Sequence, residues 1–101
     1  MKDRFISFLG ITKKAGKVIE GYNKCEEALK KNSCYLIIVS QETSSNTKEK
    51  FERISDNNKI PMIVAYKSED LSYALGKVGL NVLGVKDKSM ADRLLQLWNG
   101  S

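Results

Sequence analysis

Apolar residues recur along the chain with two different spacings, which together predict five helices and four strands. Helical spacing predicts helices that begin near residues 3, 23, 46, 68 and 89. Short apolar runs predict strands at 18–19, 35–39, 62–64 and 82–85. The run from Tyr35 to Val39 is unbroken and rich in β-branched residues, so we expect it to be the central strand, covered on both faces.

Capping residues predict where the helices begin and end. Candidate N-caps, several with an acidic residue close behind them, are Asn23, Asn46, Ser68 and Ser89. Gly16 and Gly76 are placed to end the first and fourth helices, and Asn57 with Asn58 to end the third.

The alternating order of helices and strands predicts an α/β fold. Each strand–helix–strand step needs a crossover that packs on a face of the sheet, which gives a three-layer α/β/α sandwich around a small, mixed, four-stranded sheet. A chain of 101 residues suits one domain, spanning 1–101. Ligands of such folds bind where strands end and helices begin, here at 20–24, 40–46 and 65–69.

Composition excludes several classes of function. The sequence contains no His, which removes imidazole bases and imidazole metal ligands. Cys25 and Cys34 have neither the spacing of a redox pair nor that of a metal site, so we interpret them as packing residues. We expect no metal, no cofactor and no membrane span. The charged start and the scarcity of Cys favour the cytoplasm.

The formal charge of +5 is concentrated near the start of the chain. Residues 1–31 hold eight basic and four acidic side chains, whereas the rest of the chain is nearly balanced. A basic face attracts polyanions such as nucleic acid, although ordinary solubilising charge is the alternative. Lys13 and Lys14 also suit the negative end of the first helix dipole, which is a purely structural explanation for part of the cluster.

The junction at residues 20–24 is the best candidate site. Gly21 permits close approach of the backbone to a ligand, and Lys24 adds a positive charge near free helix amides, a combination suited to phosphate. Asn23 has groups that can read a base edge, but capping is the favoured interpretation of this residue alone. Tyr22, and less strongly Tyr66, stands beside a lysine where an aromatic ring suits an RNA surface.

Other conspicuous groups have ordinary structural interpretations. The polar segment 40–46 lacks a base, a nucleophile–base pair or a metal set, so capping is the stronger interpretation. The glycines at 76, 79 and 84 match no phosphate-binding motif and are assigned to turns. Phe51 and Trp98 lie on apolar stripes, where packing is more common than base stacking.

Residues 9–21, LGITKKAGKVIEG, resemble the opening signature of the bacterial YlxQ-like branch of the L7Ae/L30e ribosomal protein superfamily. Weaker similarity continues through Asn46-Thr47-Lys48, Ile60-Pro61 and Ala74 to Lys77. The resemblance implies a non-catalytic protein that binds kink-turn RNA, a sharply bent helix with tandem sheared G·A pairs. It also implies association with the ribosome and a role in translation.

The resemblance assigns RNA contacts to the turn after the first strand and to the region around the fourth helix. The implied residues are Gly21, Tyr22, Asn23, Lys24, Lys67, Ser68, Gly79 and Leu80, and the basic cluster Lys13, Lys14 and Lys17 is added on grounds of charge. Glu27 stands where relatives usually carry Lys, and we expect it to lower the affinity because a carboxylate repels phosphates.

Two other classes of function remain open at this stage. The chain could be a protein-interaction adaptor of the translation or transcription machinery with weak RNA binding. An enzyme is the least favoured class, because the sequence lacks His and shows no nucleophile–base constellation.

Overall fold

A computed structural model describes residues 4–100 of the chain. Helices and strands alternate along these residues in the predicted order. They are α1 (Arg4–Lys14), β1 (Val18–Glu20), α2 (Tyr22–Lys30), β2 (Leu36–Val39), α3 (Ser45–Asn57), β3 (Met62–Val64), α4 (Ser68–Leu75), β4 (Val82–Val85) and α5 (Lys88–Trp98). Asp3, the expected first residue of α1, lies outside the described residues.

The strands lie close to their predicted positions, but the predicted N-caps are wrong. The N-caps of α2, α3, α4 and α5 are Gly21, Ser44, Lys67 and Asp87. Each precedes the predicted cap by one or two residues. Ser44 and Asp87 accept hydrogen bonds from the backbone amides of Thr47 and Met90, so side chains just upstream satisfy these helix ends.

The four strands form one mixed sheet in the order β1-β4-β2-β3. β4 is antiparallel to both β1 and β2, whereas β2 and β3 are parallel. β1, β2 and β3 therefore run in the same direction and end at the same edge of the sheet, where β4 begins. We call this edge, with residues 20–24, 40–46, 65–69 and 76–82, the junction edge.

Helices cover both faces of the sheet, which confirms the predicted three-layer α/β/α sandwich. On one face, α1, α4 and α5 bury a core that includes Phe5, Leu9, Leu71 and Leu94. On the other face, α2 and α3 bury a second core that includes Cys25, Leu29, Ile37 and Phe51. All four residues of β2 are buried between these layers, as expected of a central strand. None of the helices within residues 4–100 is long and apolar enough to span a membrane.

Candidate RNA interface

Backbone hydrogen bonds draw the loops of the junction edge together. The Gly21 amide donates to the Val82 carbonyl at 3.0 Å, and the Ser40 amide donates to the Asn81 carbonyl at 2.8 Å. The Gln41 amide donates to the Tyr66 carbonyl at 2.8 Å. Segments far apart in the sequence thus meet at one edge, at the three junctions that the strand pattern predicts.

A cavity of about 350 Å³ opens at this edge between α2, α3 and the start of β4. We call it the junction cavity. Its walls are Gly21, Tyr22, Glu42, Thr43, Ser44, Thr47, Gly79, Leu80, Asn81 and Val82. Backbone groups, hydroxyls, the Asn81 amide and the Glu42 carboxylate lie there beside apolar surface, so the cavity offers a ligand both hydrogen-bonding groups and apolar contact.

Gly21 begins α2 in a conformation that few other residues adopt. Its φ of 106° and ψ of 157° lie in the region that is essentially restricted to glycine. The first hydrogen bond of the helix runs from the Cys25 amide to the Gly21 carbonyl. The amides of Tyr22, Asn23 and Lys24 therefore precede this bond, at the positive end of the helix dipole.

Asn23 is not the N-cap, because Gly21 holds that position and α2 has no side-chain cap among residues 4–100. The side chains of Asn23 and Lys24 are both exposed in the first turn. Within residues 4–100, no ion pair engages Lys24. The capping explanation for Asn23 is thus removed, and Lys24 offers its charge to an external anion.

Tyr22 is packed from α3, a contact that the sequence analysis missed. Its ring meets the ring of buried Phe51 edge to face, with the centroids 5.1 Å apart. The Lys50 Nζ lies 4.8 Å from the Tyr22 centroid and 2.9 Å from a carboxylate oxygen of Glu26. The hydrogen bonds with Tyr22 and Glu26 raise the pKa of Lys50 above its ordinary value.

A buried hydroxyl network stiffens the floor of the junction edge. The Ser40 hydroxyl donates to Asn81 Oδ1 at 2.7 Å and lies 3.0 Å from the Thr43 hydroxyl. The Thr43 hydroxyl also bonds the Asn81 carbonyl at 3.3 Å. With Ser44 capping α3, this network confirms the interpretation of segment 40–46 as structural polar residues.

Glu42 and Ser68 connect the second and third junctions. The Ser68 amide, at the start of α4, donates to Glu42 Oε1 at 2.9 Å, so a carboxylate satisfies the positive helix end. The Ser68 hydroxyl donates to the Leu80 carbonyl at 3.0 Å. Ser68 thus acts as a brace between loops, while the neighbouring Lys67 side chain is exposed.

The loop between α4 and β4 presents a different apolar side chain from the one expected. Gly79 and Leu80 line the junction cavity, but the Leu80 side chain is only 4% exposed and belongs to the core beneath it. Val78, two residues earlier, is 96% exposed. Val78 is therefore the apolar side chain available to a ligand in this loop. The local sequence does not indicate which of Val78 and Leu80 is exposed.

The basic residues Lys13, Lys14 and Lys17 do not line the junction cavity, although Lys13 reaches the junction edge through Glu20. Lys13 and Lys77 both pair with the carboxylate of Glu20. Burial opposes ionisation of Glu20, but the hydrogen bond and charge of Lys13, with the weaker effect of Lys77, lower its pKa below the ordinary value. Lys17 precedes β1, so it lies at the opposite end of that strand from Gly21.

The two acidic residues of α2 form ion pairs with neighbouring lysines. Glu26 accepts from Lys50 at 2.9 Å and lies 3.7 Å from Lys30, and the hydrogen bond from Lys50 is the largest effect that lowers its pKa. Glu27 pairs with Lys31 one turn later at 3.1 Å. Exposed pairs of this kind are weak and screened by salt, so the Glu27 carboxylate still contributes negative potential beside the first turn.

A second groove, of about 420 Å³, lies between α1 and α4 on one outer face of the molecule. We call it the α1–α4 groove. Ile11 and Tyr73, which line it, are 53% and 84% exposed, and Lys13 and Lys14 stand along its side. The two helices lie close together at Gly10, where a Cβ would sit 3.6 Å from the Ala74 carbonyl oxygen, an ordinary van der Waals distance.

Comparisons with known proteins agree with this geometry. The model of the ribosomal protein L7Ae/L30e/S12e/Gadd45 family matches residues 5–95. The RNA-binding protein YlxQ of Enterococcus faecium is 22% identical over 99 residues, covering 98% of this chain and 95% of its own. The RNA-binding protein YlxQ of Bacillus subtilis is 26% identical over 89 residues, covering 88% and 89%.

A solved structure has the same fold along nearly the whole chain. It is described as a protein with unknown function from Bacillus halodurans, and it superimposes with a TM-score of 0.94 at 26% identity. The match covers 97% of this chain and 99% of that one.

Proposed function

The chain belongs to the ribosomal protein L7Ae/L30e/S12e/Gadd45 family, and we propose that it is a non-catalytic RNA-binding protein that recognises kink-turn-like structured RNA. The two YlxQ relatives are named RNA-binding proteins, which supports RNA as the ligand class. We further propose that it acts in the cytoplasm in association with the ribosome. Association with the ribosome is proposed because the family is one of ribosomal proteins.

The observation that carries the proposal is the structure around Gly21. A glycine-specific backbone conformation starts α2 beside the junction cavity, and the exposed Asn23 and Lys24 flank the outward amides. A sharply bent RNA concentrates phosphates and exposes base edges in one place. The first-turn amides and Lys24 can bind the phosphates, and the Asn23 side chain can bind a base edge.

The other proposed contacts surround this centre. Gly79 lies on the opposite wall of the junction cavity, and Lys67 and Ser68 stand at the start of α4 on the same edge of the sheet. We propose that Leu80 contributes only its backbone, because its side chain is buried. Lys13, Lys14 and Lys17 provide long-range attraction for a flanking RNA stem rather than contacts at the centre.

Electrophoretic mobility shift with a kink-turn RNA tests the proposal, with a control RNA in which the sheared G·A pairs are replaced by Watson–Crick pairs. The wild-type protein should prefer the kink-turn RNA. Lys24→Ala should weaken binding and reduce the slope of log K against log salt by about 1. Lys59→Gln, a loss of charge at an exposed position before β3, at the opposite end of that strand from residues 65–69, should leave both nearly unchanged. Equal weak binding of both RNAs by the wild-type protein would rule out specific kink-turn recognition.

Association with the ribosome requires a separate measurement. Cosedimentation of the chain with ribosomal particles on a sucrose gradient should survive moderate salt in the wild type and weaken for Lys24→Ala. A chain that stays at the top of the gradient under all salt conditions contradicts this part of the proposal, without bearing on kink-turn binding.

The α1–α4 groove favours a second candidate function, the protein-interaction adaptor. Its exposed Ile11 and Tyr73 stand beside Lys13 and Lys14, which suits a partner segment with apolar and acidic side chains. Tyr73→Ala should abolish capture of such a partner in nuclease-treated extract while leaving RNA affinity intact. Capture that is unchanged by Tyr73→Ala contradicts the use of this groove.

A further inference from the structure

We propose that Lys50 of α3 is a positioning residue that holds the Tyr22 ring at the wall of the junction cavity, so that the ring stacks on an unpaired base of the bound RNA. The inference rests on the proposed RNA-binding function. It assigns base stacking to Tyr22 and a supporting role to two residues outside the Gly21–Lys24 turn. These are Lys50 on α3 and Glu26 on α2.

The contacts of Tyr22 are unusual for a residue at an exposed helix start. The side chain remains 36% exposed and lines the junction cavity, yet it is fixed from two directions. The buried Phe51 ring supports it edge to face at 5.1 Å, and the Lys50 ammonium lies over the ring at 4.8 Å. The ring is therefore an aromatic surface that is accessible and held in place before any ligand arrives.

The Lys50 side chain is fixed by an ion pair, so it can restrain the Tyr22 ring. Its ammonium lies 2.9 Å from Glu26 on α2, so the Lys50 side chain bridges the two helices and places its charge on the ring between them. A ring that is already immobilised loses less conformational entropy on stacking than a free one. Aromatic stacking tolerates any base, because every base has a π-face.

The pairing with Glu26 also separates this role from a direct phosphate contact. The bonded carboxylate offsets the charge of Lys50, unlike that of Lys24, which has no ion-pair partner within residues 4–100. A phosphate contact adds about 1 to the salt slope of binding. We therefore expect the double variant Lys50→Met with Glu26→Gln, which removes both charges of the pair, to weaken binding with little change of slope, whereas Lys24→Ala lowers the slope.

The test combines protein variants with kink-turn RNAs that carry an abasic site in place of each unpaired nucleotide in turn. On the intact RNA, Tyr22→Leu should weaken binding by about 5- to 100-fold, the range expected for one stacked base. Lys50→Met should weaken it by about 3- to 10-fold and Lys50→Arg far less, because Arg also stacks on aromatic faces. On the RNA that lacks the stacked base, all these variants should bind within about twofold of the wild type.

Two controls keep a folding defect from imitating the effect. Arg53→Met, a matched loss of a cation on an exposed position of the same helix, should change neither affinity nor slope. Nuclear magnetic resonance of the free proteins should show that Lys50→Met shifts and broadens the Tyr22 ring signals while the Leu83 methyl signals stay in place.

The possible results are distinguishable. If wild-type protein binds none of the kink-turn RNAs specifically, the proposed function fails and this inference fails with it. If the wild type binds but Lys50→Met loses the same affinity on intact and abasic RNAs, only the positioning role is overturned. Unchanged Tyr22 ring signals in free Lys50→Met would also overturn it, whatever the RNA result.

Discussion

Replacing Gly21 with Ala should destabilise the protein through its backbone alone. A Cβ built at Gly21 meets nothing within 4 Å, so no clash contributes. The φ of 106° and ψ of 157° instead force Ala into a region that costs about 1–3 kcal/mol. For a domain of this size each kcal/mol lowers Tm by about 4–8 °C. Thermal unfolding followed by circular dichroism measures the loss.

A comparison of Gly21 with Gly76 separates backbone strain from helix capping. Gly76 ends α4 in the ordinary left-handed conformation, with φ 69° and ψ 28°, which Asn tolerates. Gly76→Asn should therefore cost little. Gly21→Asn should cost as much as Gly21→Ala, although Asn is slightly better than Gly as an ordinary N-cap. Melting of Gly21→Ala or Gly21→Asn within about 1 °C of the wild type would refute the argument.

Three further outcomes are expected. Glu27→Lys should raise kink-turn affinity severalfold and steepen its salt dependence, as a mobility shift at two salt concentrations would show; unchanged affinity means that this turn of α2 lies away from phosphate. Gly84→Ala should lower the free energy of unfolding by about 1–3 kcal/mol in urea titrations, because the added Cβ would lie 2.8 Å from Cys34 Sγ. Combining it with Cys34→Ala, which removes the sulfur, should recover much of that loss. Additive losses from the two substitutions contradict the clash. Burial raises the pKa of Cys25 to about 12 from the ordinary 9.0, so the stability that the protonated thiol contributes is complete below pH 9 and is lost as the pH rises toward 12. Cys25→Ala should therefore flatten the decline of the unfolding free energy over this pH range. An unchanged decline contradicts the assignment.

Much of the fold could be predicted from the sequence because its signals are local. The apolar runs at 62–64 and 82–85 coincide with β3 and β4, and Gly76 ends α4 in the left-handed conformation expected of it. The helix starts are harder to predict, since more than one capping residue stands near the starts of α3 and α5. In α2 the sheet decides: the Gly21 amide bonds the Val82 carbonyl, so the helix begins there rather than at Asn23.

The candidate site could be predicted only in part for a related reason. Gly21 and Lys24 are only three positions apart, so their combination is visible in the sequence. Tyr22 and Lys50 stand far apart in the chain and meet only because α2 packs on α3. Likewise, nothing local distinguishes exposed Val78 from buried Leu80; the fold of the α4–β4 loop does that.

Because the strands are ordered β1-β4-β2-β3, the junction edge forms only when the whole sheet is folded. The edge is assembled from residues 20–24, 40–46, 65–69 and 76–82, which meet only when every strand is in its place. A ligand held there binds the native state alone, so it raises the free energy of unfolding by RT ln(1 + [L]/Kd), where [L] is the free ligand concentration. Saturating RNA should therefore raise the melting temperature, and partial unfolding should release the RNA.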